Sequence, residues 1–223
     1  LPTIPGEALV GIEVPLSHPR RVSLRQVIES EGFTDIAVGS GLPIGIGQDV
    51  DGEWVALDLG ELPHLLIAGA TGTGKSVCLG TIVASLMCTR SPEQVRFLMV
   101  DPKGVELTPF EASPHLLAPV VVDPSDFAPV LDGLVQVMQQ RYVLFRKVNT
   151  RNIRSYNEQV FTPLPYLVMV VDELAELMLG GGRDAESTLV RLAQMGRAAG
   201  IHLVLSTQRP TVDVVTGLLK ANI

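Results

Sequence analysis

The run Gly69-Ala70-Thr71-Gly72-Thr73-Gly74-Lys75-Ser76 constrains this chain more than any other feature. It satisfies G-x-x-x-x-G-K-[ST] and sits between an apolar stretch, Leu65 to Ala68, and a helical one, Lys75 to Cys88. Glycines let backbone N–H groups curve inward around phosphate oxygens, and a helix that begins directly after the turn presents its positive N-terminus to them. Lys75 is expected to reach the β and γ phosphates of ATP, and the Ser76 hydroxyl to ligate Mg2+. The expected nucleotide-binding set is therefore Gly69, Ala70, Thr71, Gly72, Thr73, Gly74, Lys75, Ser76 and Val77.

The rest of the chain agrees with such a cradle. From Pro63 onward, apolar strand candidates at Leu65 to Ala68, Arg96 to Val100, Tyr166 to Val171 and His202 to Ser206 alternate with helical stretches at Lys75 to Cys88, Ser125 to Lys147, Ala185 to Ala199 and Val212 to Leu219. Continuous apolar strands separated by helices predict an α/β fold with a mostly parallel sheet flanked by helices, and ligands in such sheets bind at the carboxyl ends of the strands. Residues 1–60 read differently, as a small α+β N-terminal segment of short strands (Ala8 to Val14, Pro43 to Ile46, Glu53 to Leu57) and a helix at Leu24 to Glu31 capped by Ser23. The expected division is thus 1–60 as an appendage and 61–223 as the main domain. With 46% hydrophobic but only 4% aromatic residues, the core must come mainly from Leu, Val, Ile and Ala. No apolar run approaches the roughly 18 residues that span a bilayer, so a soluble fragment without a signal peptide is expected. Cys78 and Cys88 lie about 15 Å apart along one helix, too far for a disulfide. A net charge of −7 lacks the basic signature of a nucleic-acid binder, so any DNA contact must be a local patch.

A second motif supports the first. Leu167 to Val171 is an apolar strand ending in Asp172-Glu173, and carboxylates at that position suggest a magnesium site. Asp172 would hold the metal through water and Glu173 would polarise the attacking water as general base. The competing reading is that both simply open the next helix, where carboxylates favour the dipole. His202 to Ser206 runs into Thr207 and Gln208, and if that strand lies between the other two, Gln208 would sit near the γ phosphate and report its presence. The bland alternative is a polar turn before Pro210. Asp101 and Glu106 follow the second strand; they receive no chemistry, only a place near the site or an interface. The basic run Arg146, Lys147, Arg151 and Arg154 ends a long helix and enters a loop, and helix-terminal cations are the preferred reading over a DNA contact.

Several blocks together resemble the FtsK/SpoIIIE DNA translocases. These are Pro63-His64-Leu65-Leu66-Ile67-Ala68-Gly69 with the phosphate loop, Val100-Asp101-Pro102-Lys103-Gly104-Val105-Glu106-Leu107, Arg197-Ala198-Ala199-Gly200-Ile201-His202-Leu203-Val204-Leu205 and Thr207-Gln208-Arg209-Pro210. The resemblance runs from about Pro5 to the last residue. It implies a RecA-like P-loop NTPase that assembles as a homo-hexamer around double-stranded DNA and pumps it in chromosome segregation and cell division. It also implies a cytoplasmic motor whose full-length protein is anchored at the bacterial inner membrane and division septum through a region absent here. Two departures stand out: the loop before Tyr166 is shorter than in the family, and the chain stops at Ile223, where the family's motor continues.

Under that resemblance, Arg209 and Lys220 fall where such folds place a loop facing the central channel, and they are the candidate DNA contacts, with ordinary surface charge as the alternative. Ring ATPases of this kind commonly complete the site with an arginine from a neighbouring subunit; the candidate is Arg197, with Arg191 as runner-up. The strongest rival is a related ring ATPase of type VII protein secretion or conjugative DNA transfer. A GTPase would need an Asn-Lys-x-Asp motif, and an ABC ATPase a Leu-Ser-Gly-Gly signature; neither occurs.

Overall fold

The computed structural model describes residues 21–223; the expected strand at Ala8 to Val14 lies outside them. In chain order the elements are α1 (Leu24–Ile28), α2 (Glu31–Val38), β1 (Pro43–Gln48), β2 (Trp54–Asp58), β3 (Leu65–Ala68), α3 (Lys75–Thr89), β4 (Val95–Val100), α4 (Phe127–Lys147), α5 (Ile153–Asn157), β5 (Tyr166–Val171), α6 (Leu174–Met195), β6 (Ile201–Thr207) and α7 (Gly217–Lys220). Four strands form one parallel sheet in the order β3-β6-β5-β4. The segment after β4 doubles back along its free edge: Phe97 N–H bonds the His115 carbonyl, and Val121 N–H bonds the Met99 carbonyl. That pairing covers what would otherwise be an exposed strand edge.

Why the strands read as unbroken apolar runs is plain from their two faces. Successive side chains alternate sides of a strand. Leu167, Met169 and Val171 of β5 join one core with α4, α6 and α7, while Val168 and Val170 join a second with α3, Leu42, Ile44 and Leu59. Both faces are buried, so no position on the central strands is left for a polar alternation. Helix α3 meets the second core through Leu79, Ile82, Val83 and Leu86, the spacing of one helical face. The antiparallel hairpin β1–β2 lies on α3, where Gly45 N–H bonds Ser85 Oγ at 3.0 Å and a Cβ on Gly45 would come within 2.9 Å of Val27. Arg90, just past α3, donates to the carbonyls of Ala37, Gly39 and Gly41, tying the N-terminal segment to the helix end.

Three helix expectations need correction. The single helix expected at Leu24 to Glu31 is two, α1 closed by a capping box between Ser23 and Gln26, and α2 entered at Ser30. The helix expected from Ala185 begins at Leu174. Three consecutive glycines, Gly180 to Gly182, argue against a helix there on propensity, but a cap at Glu173 and the buried side chains of Leu174, Ala175 and Leu177 override them. The helix expected over Val212 to Leu219 is only Gly217–Lys220, capped by Thr216. Cys78 and Cys88 are both free thiols.

The amino end of the sheet is held by buried polar groups. Arg141, 4% exposed, donates to the Ala199 and Pro165 carbonyls at 2.7 Å each, and burial lowers its guanidinium to about 10. His64 spans three elements: Nε2 donates to the Ala193 carbonyl of α6 at 2.8 Å, and Nδ1 accepts the Leu203 N–H of β6 at 3.0 Å. His202 beside it donates from Nδ1 to the Pro63 carbonyl, and its Nε2 has no partner. Burial pushes both imidazoles down to about 4, with the Arg197 charge adding to the effect. A histidine kept neutral in the fold but titrating at 6.5 when unfolded contributes stability that is complete above 6.5 and is lost as pH falls towards 4. For the fully enclosed His202 the loss between pH 7 and pH 5 is about 2 kcal/mol. In urea unfolding at those two pH values, His202→Gln should therefore lose less stability than the parent by roughly that amount. An equal loss in both proteins would show that His202 does not carry the dependence.

Candidate nucleotide site

All the polar ends of the parallel strands meet at one place. Strand register does this: Val171 of β5 lies opposite Leu205 of β6, so Asp172 and Glu173 emerge beside Ser206 and Thr207. Ala68 of β3 lies opposite Thr207, and Gly69 N–H bonds the Thr207 carbonyl at 3.2 Å, which starts the phosphate loop alongside. The strand ending in Gln208 thus stands between the other two.

The loop itself is shaped for close approach. Gly72 and Gly74 have φ of 82° and 93°, a region that side chains disfavour, and a Cβ on Gly69 would fall 2.5 Å from Thr73 Oγ1. Thr73 bonds back to the Ala70 carbonyl through both its N–H and its hydroxyl, closing the turn. Gly74 caps the 15-residue helix α3 without a side-chain bond, so the helix's first N–H groups remain for a ligand. Residues Thr71 to Gly74 and Val77 are exposed, and Ser76 is half-buried at the loop's rim. An open glycine turn, a helix N-terminus and a lysine are the parts from which a nucleoside triphosphate cradle is built, and these residues fit ATP.

Lys75 is 7% exposed, and its ammonium makes three bonds: to the Asp172 carbonyl at 2.6 Å, to Asp172 Oδ1 at 3.0 Å and to Ser206 Oγ at 2.9 Å. Burial raises the Asp172 carboxyl above the usual range; Lys75 pulls it back in part, and the nearby charges of Asp101 and Glu106 push it up further. Glu173, 3% exposed, caps α6 by accepting Ala175 N–H at 3.2 Å, and also accepts the Thr207 hydroxyl at 2.7 Å and Gln208 N–H at 3.1 Å. Opening a helix and standing at the nucleotide site are thus one and the same position for this carboxylate. The Gln208 side chain accepts from Thr71 Oγ1 at 3.1 Å, joining the end of β6 to the phosphate loop. Lys75, Ser76, Asp172, Glu173 and Gln208 are all at this site. Among the described residues no cluster of three His, Cys, Asp or Glu side chains could cage a metal. A Mg2+ ion here would share Ser76 and Asp172 with phosphate oxygens, the arrangement usual for that ion.

Arg197 is elsewhere. It lies four residues before β6, at the amino end of the sheet, roughly 20 Å of strand away from Gln208. There it pairs with Glu61 at 3.3 Å, a carboxylate it shares with Arg154, also at 3.3 Å. The two guanidiniums line a cleft of about 350 Å³ with Asn152, Tyr166 and His202. Arg209 and Lys220 are exposed, after β6 and at the end of α7. Arg191 is exposed on α6.

Sequence reasoning gave no role to two contributors, Ser206 and Thr207, and no chemistry to a third, Asp101. Ser206 stood only as the last residue of a strand and Thr207 only as the step from it to Gln208, yet both are fully buried and bond Lys75 and Glu173. Asp101, also fully buried, accepts the N–H groups of Lys103, Gly104, Val105, Glu106 and Leu107 and shapes the whole loop after β4. An aspartate ending a strand and followed by Pro-Lys-Gly was the available signal for such a loop. Lys103 pairs with Glu176 at 3.4 Å, linking that loop to the first turn of α6.

Comparison with known proteins agrees with this geometry. The FtsK/SpoIIIE family profile matches residues 23–212. The DNA translocase SpoIIIE of Bacillus subtilis (strain 168) is 46% identical over 99% of this chain, which covers 29% of that protein. The DNA translocase FtsK of Clostridium tetani is 51% identical over 99% of the chain and 30% of its own length. The chain therefore spans under a third of these relatives. Among solved structures, the pCW3 conjugation coupling protein TcpA, in its monomer form with ATPγS, superposes with a TM-score of 0.73 at 31% identity, over 87% of this chain and 55% of that one. The cytoplasmic domain of the type VII secretion ATPase EccC from Thermomonospora curvata gives 0.72 at 31% identity, over 82% of this chain and 23% of that one. With the phosphate loop, the Asp172-Glu173 strand end and a match over most of its length, this chain belongs to the FtsK/SpoIIIE family.

Proposed function

We propose that this chain is the motor core of an ATP-driven translocase for double-stranded DNA. Residues 61–223 are its RecA-like ATPase domain and residues 1–60 an appended segment of it. Six copies close into a ring, and ATP hydrolysis moves duplex DNA through it during chromosome segregation and cell division. The full-length protein is held at the bacterial inner membrane, at the division septum, by a region outside this chain, with the motor in the cytoplasm. No helix among the described residues is long and apolar enough to cross a membrane. The observation that carries the reading is the meeting of Lys75, Asp172 and Glu173 at one end of a parallel sheet, in a chain about half identical to proteins named DNA translocases. Likeness to TcpA and EccC supports a second reading, a conjugation or protein-secretion motor. Stimulation of ATP turnover by duplex DNA separates the two.

ATP with Mg2+, when bound, supplies a phosphoanhydride whose γ-phosphoryl group is open to attack by water. The chain's own part is positional. Gly69 to Val77 hold the phosphates against the start of α3, and Lys75 brings a cation that is already anchored at the strand ends. Ser76 would hold the Mg2+ directly and Asp172 through water. Glu173 takes the proton of the attacking water, and Gln208, bonded to Thr71, reports the γ phosphate. Arg197 cannot serve its own site from the opposite end of the sheet, so it acts on the neighbouring subunit's phosphate. Arg209 and Lys220 meet DNA phosphates.

Three outcomes are expected. Lys75→Ala should abolish tight ATP binding, whereas Glu173→Gln should keep it and slow hydrolysis by roughly 10²-fold or more. Parental hydrolysis by Glu173→Gln would remove Glu173 as the base. In the full-length protein, replacing Arg209 and Lys220 by Ala should weaken binding to all duplex sequences alike and flatten the salt dependence by roughly one counterion per lost contact. An unchanged slope returns both to ordinary surface charge. Finally, Arg197→Ala and Glu173→Gln should each be inactive alone in the full-length protein, yet regain ATPase when mixed, because some interfaces then pair an intact Glu173 with an intact Arg197. No recovery at any ratio, with subunits shown to exchange, would count against Arg197 acting between subunits.

A further inference from the structure

Three donors hold the Glu173 carboxylate in place, and all three reach its Oε1. Its Oε1 accepts Ala175 N–H at 3.2 Å, the Thr207 hydroxyl at 2.7 Å and Gln208 N–H at 3.3 Å, while Oε2 accepts the same Gln208 N–H at 3.1 Å. A general base needs a lone pair free to lie within about 3 Å of the proton it takes. Here the shortest and most directional bond is the one from Thr207, a side chain with no exposed surface. That hydroxyl donates once, to Glu173, and accepts in turn from Arg209 N–H at 3.0 Å. Three consecutive residues at the end of β6 therefore grip the base: Thr207 by its hydroxyl, Gln208 by its N–H, and Arg209 by fixing the Thr207 hydroxyl. The next residues, Pro210 to Asp213, are exposed, and so is Arg209 itself.

We propose that Thr207 is a positioning residue that latches Glu173 out of reach of the attacking water, and that engagement of DNA by the Arg209 segment releases the latch. This rests on the translocase reading above. Drawing the 208–211 backbone towards a DNA phosphate removes the Arg209 N–H from Thr207 and the Gln208 N–H from Glu173 together, since both belong to the backbone that moves. The Thr207 hydroxyl, no longer fixed by Arg209, is then free to turn away, and Glu173, left with its cap on α6, swings towards the phosphate loop. ATP is hydrolysed quickly only by a subunit that holds DNA. Gln208, bonded to Thr71, makes the same segment sensitive to what occupies the phosphate loop.

The test compares Thr207→Val, which removes the donor and keeps the β-branched shape, with Thr207→Ser, which restores the hydroxyl. ATPase is measured in the full-length protein with and without linear duplex DNA. Thr207→Val should raise the DNA-free kcat several-fold, leave KM for ATP unchanged and bring the ratio of DNA-stimulated to DNA-free turnover close to one. Thr207→Ser should return that ratio to the parental value, and Thr207→Val combined with Glu173→Gln should be inactive, because the released turnover passes through Glu173. Should Thr207→Val not fold, Thr207→Cys, a weak donor, should give an intermediate rise. A fall in kcat with and without DNA would overturn the proposal, since the hydroxyl would then hold Glu173 in its working position. A parental protein that DNA does not stimulate overturns the release by DNA and the translocase reading together; the DNA-free rate of Thr207→Val still decides the latch.

Discussion

A single buried ammonium group organises the functional end of this molecule. Lys75 stands at the first turn of α3, yet its charge is spent on β5 and β6, through the Asp172 carbonyl and carboxylate and the Ser206 hydroxyl. A cation taken out of water is tolerated only when its donors are met, and here all three are. Ser206 also donates to the Asp172 carbonyl at 2.7 Å, so helix, carboxylate and hydroxyl form one closed set. The adjacent residues inherit their places from it: Glu173 follows Asp172, and Thr207 follows Ser206. A slip of one residue between β5 and β6 would turn every one of these side chains to the other face of the sheet.

The two ends of the sheet are built for different work. The carboxyl end is open around the glycine loop and rich in hydrogen bonds that can be exchanged. At the amino end, Arg141, His64 and His202 are sealed among carbonyls and apolar side chains, with their positions set by bonds to Ala199, Pro165, Ala193 and Pro63. Arg197 belongs to this second end but remains half-exposed, paired with Glu61 in a cleft rather than buried. An exposed ion pair contributes little to stability, so Glu61 can give up Arg197 at small cost. A rigid sheet thus separates a nucleotide site from the arginine proposed to serve a neighbour's site, and the length of β6 sets the separation.

The carboxylate at Glu173 illustrates how one group serves fold and chemistry together. As the cap of α6 it starts a helix that the three glycines at 180–182 argue against, and that helix carries Leu189 and Leu192 into the core shared with α4. As a group at the strand end it faces the phosphate loop through Thr207 and Gln208. Removing its charge and removing its cap are therefore separable experiments, because glutamine retains a capping oxygen.

From the sequence alone came the phosphate loop, the four strands of the parallel sheet, the Asp172-Glu173 strand end and the family. All of these rest on local patterns: glycine spacing, apolar runs with helices between them, and paired carboxylates after such a run. The start of α6 was not legible, because glycine propensity spoke against a helix that a cap and distant core contacts impose. The roles of Asp101, Ser206 and Thr207 were hidden for a related reason. A buried polar side chain looks the same in a sequence whether it bonds its own loop, a lysine six elements earlier in the chain or the carboxylate on the adjoining strand. Only the packing of β6 between β3 and β5, which brings residues 97, 131 and 34 positions apart within hydrogen-bond reach, decides which it is.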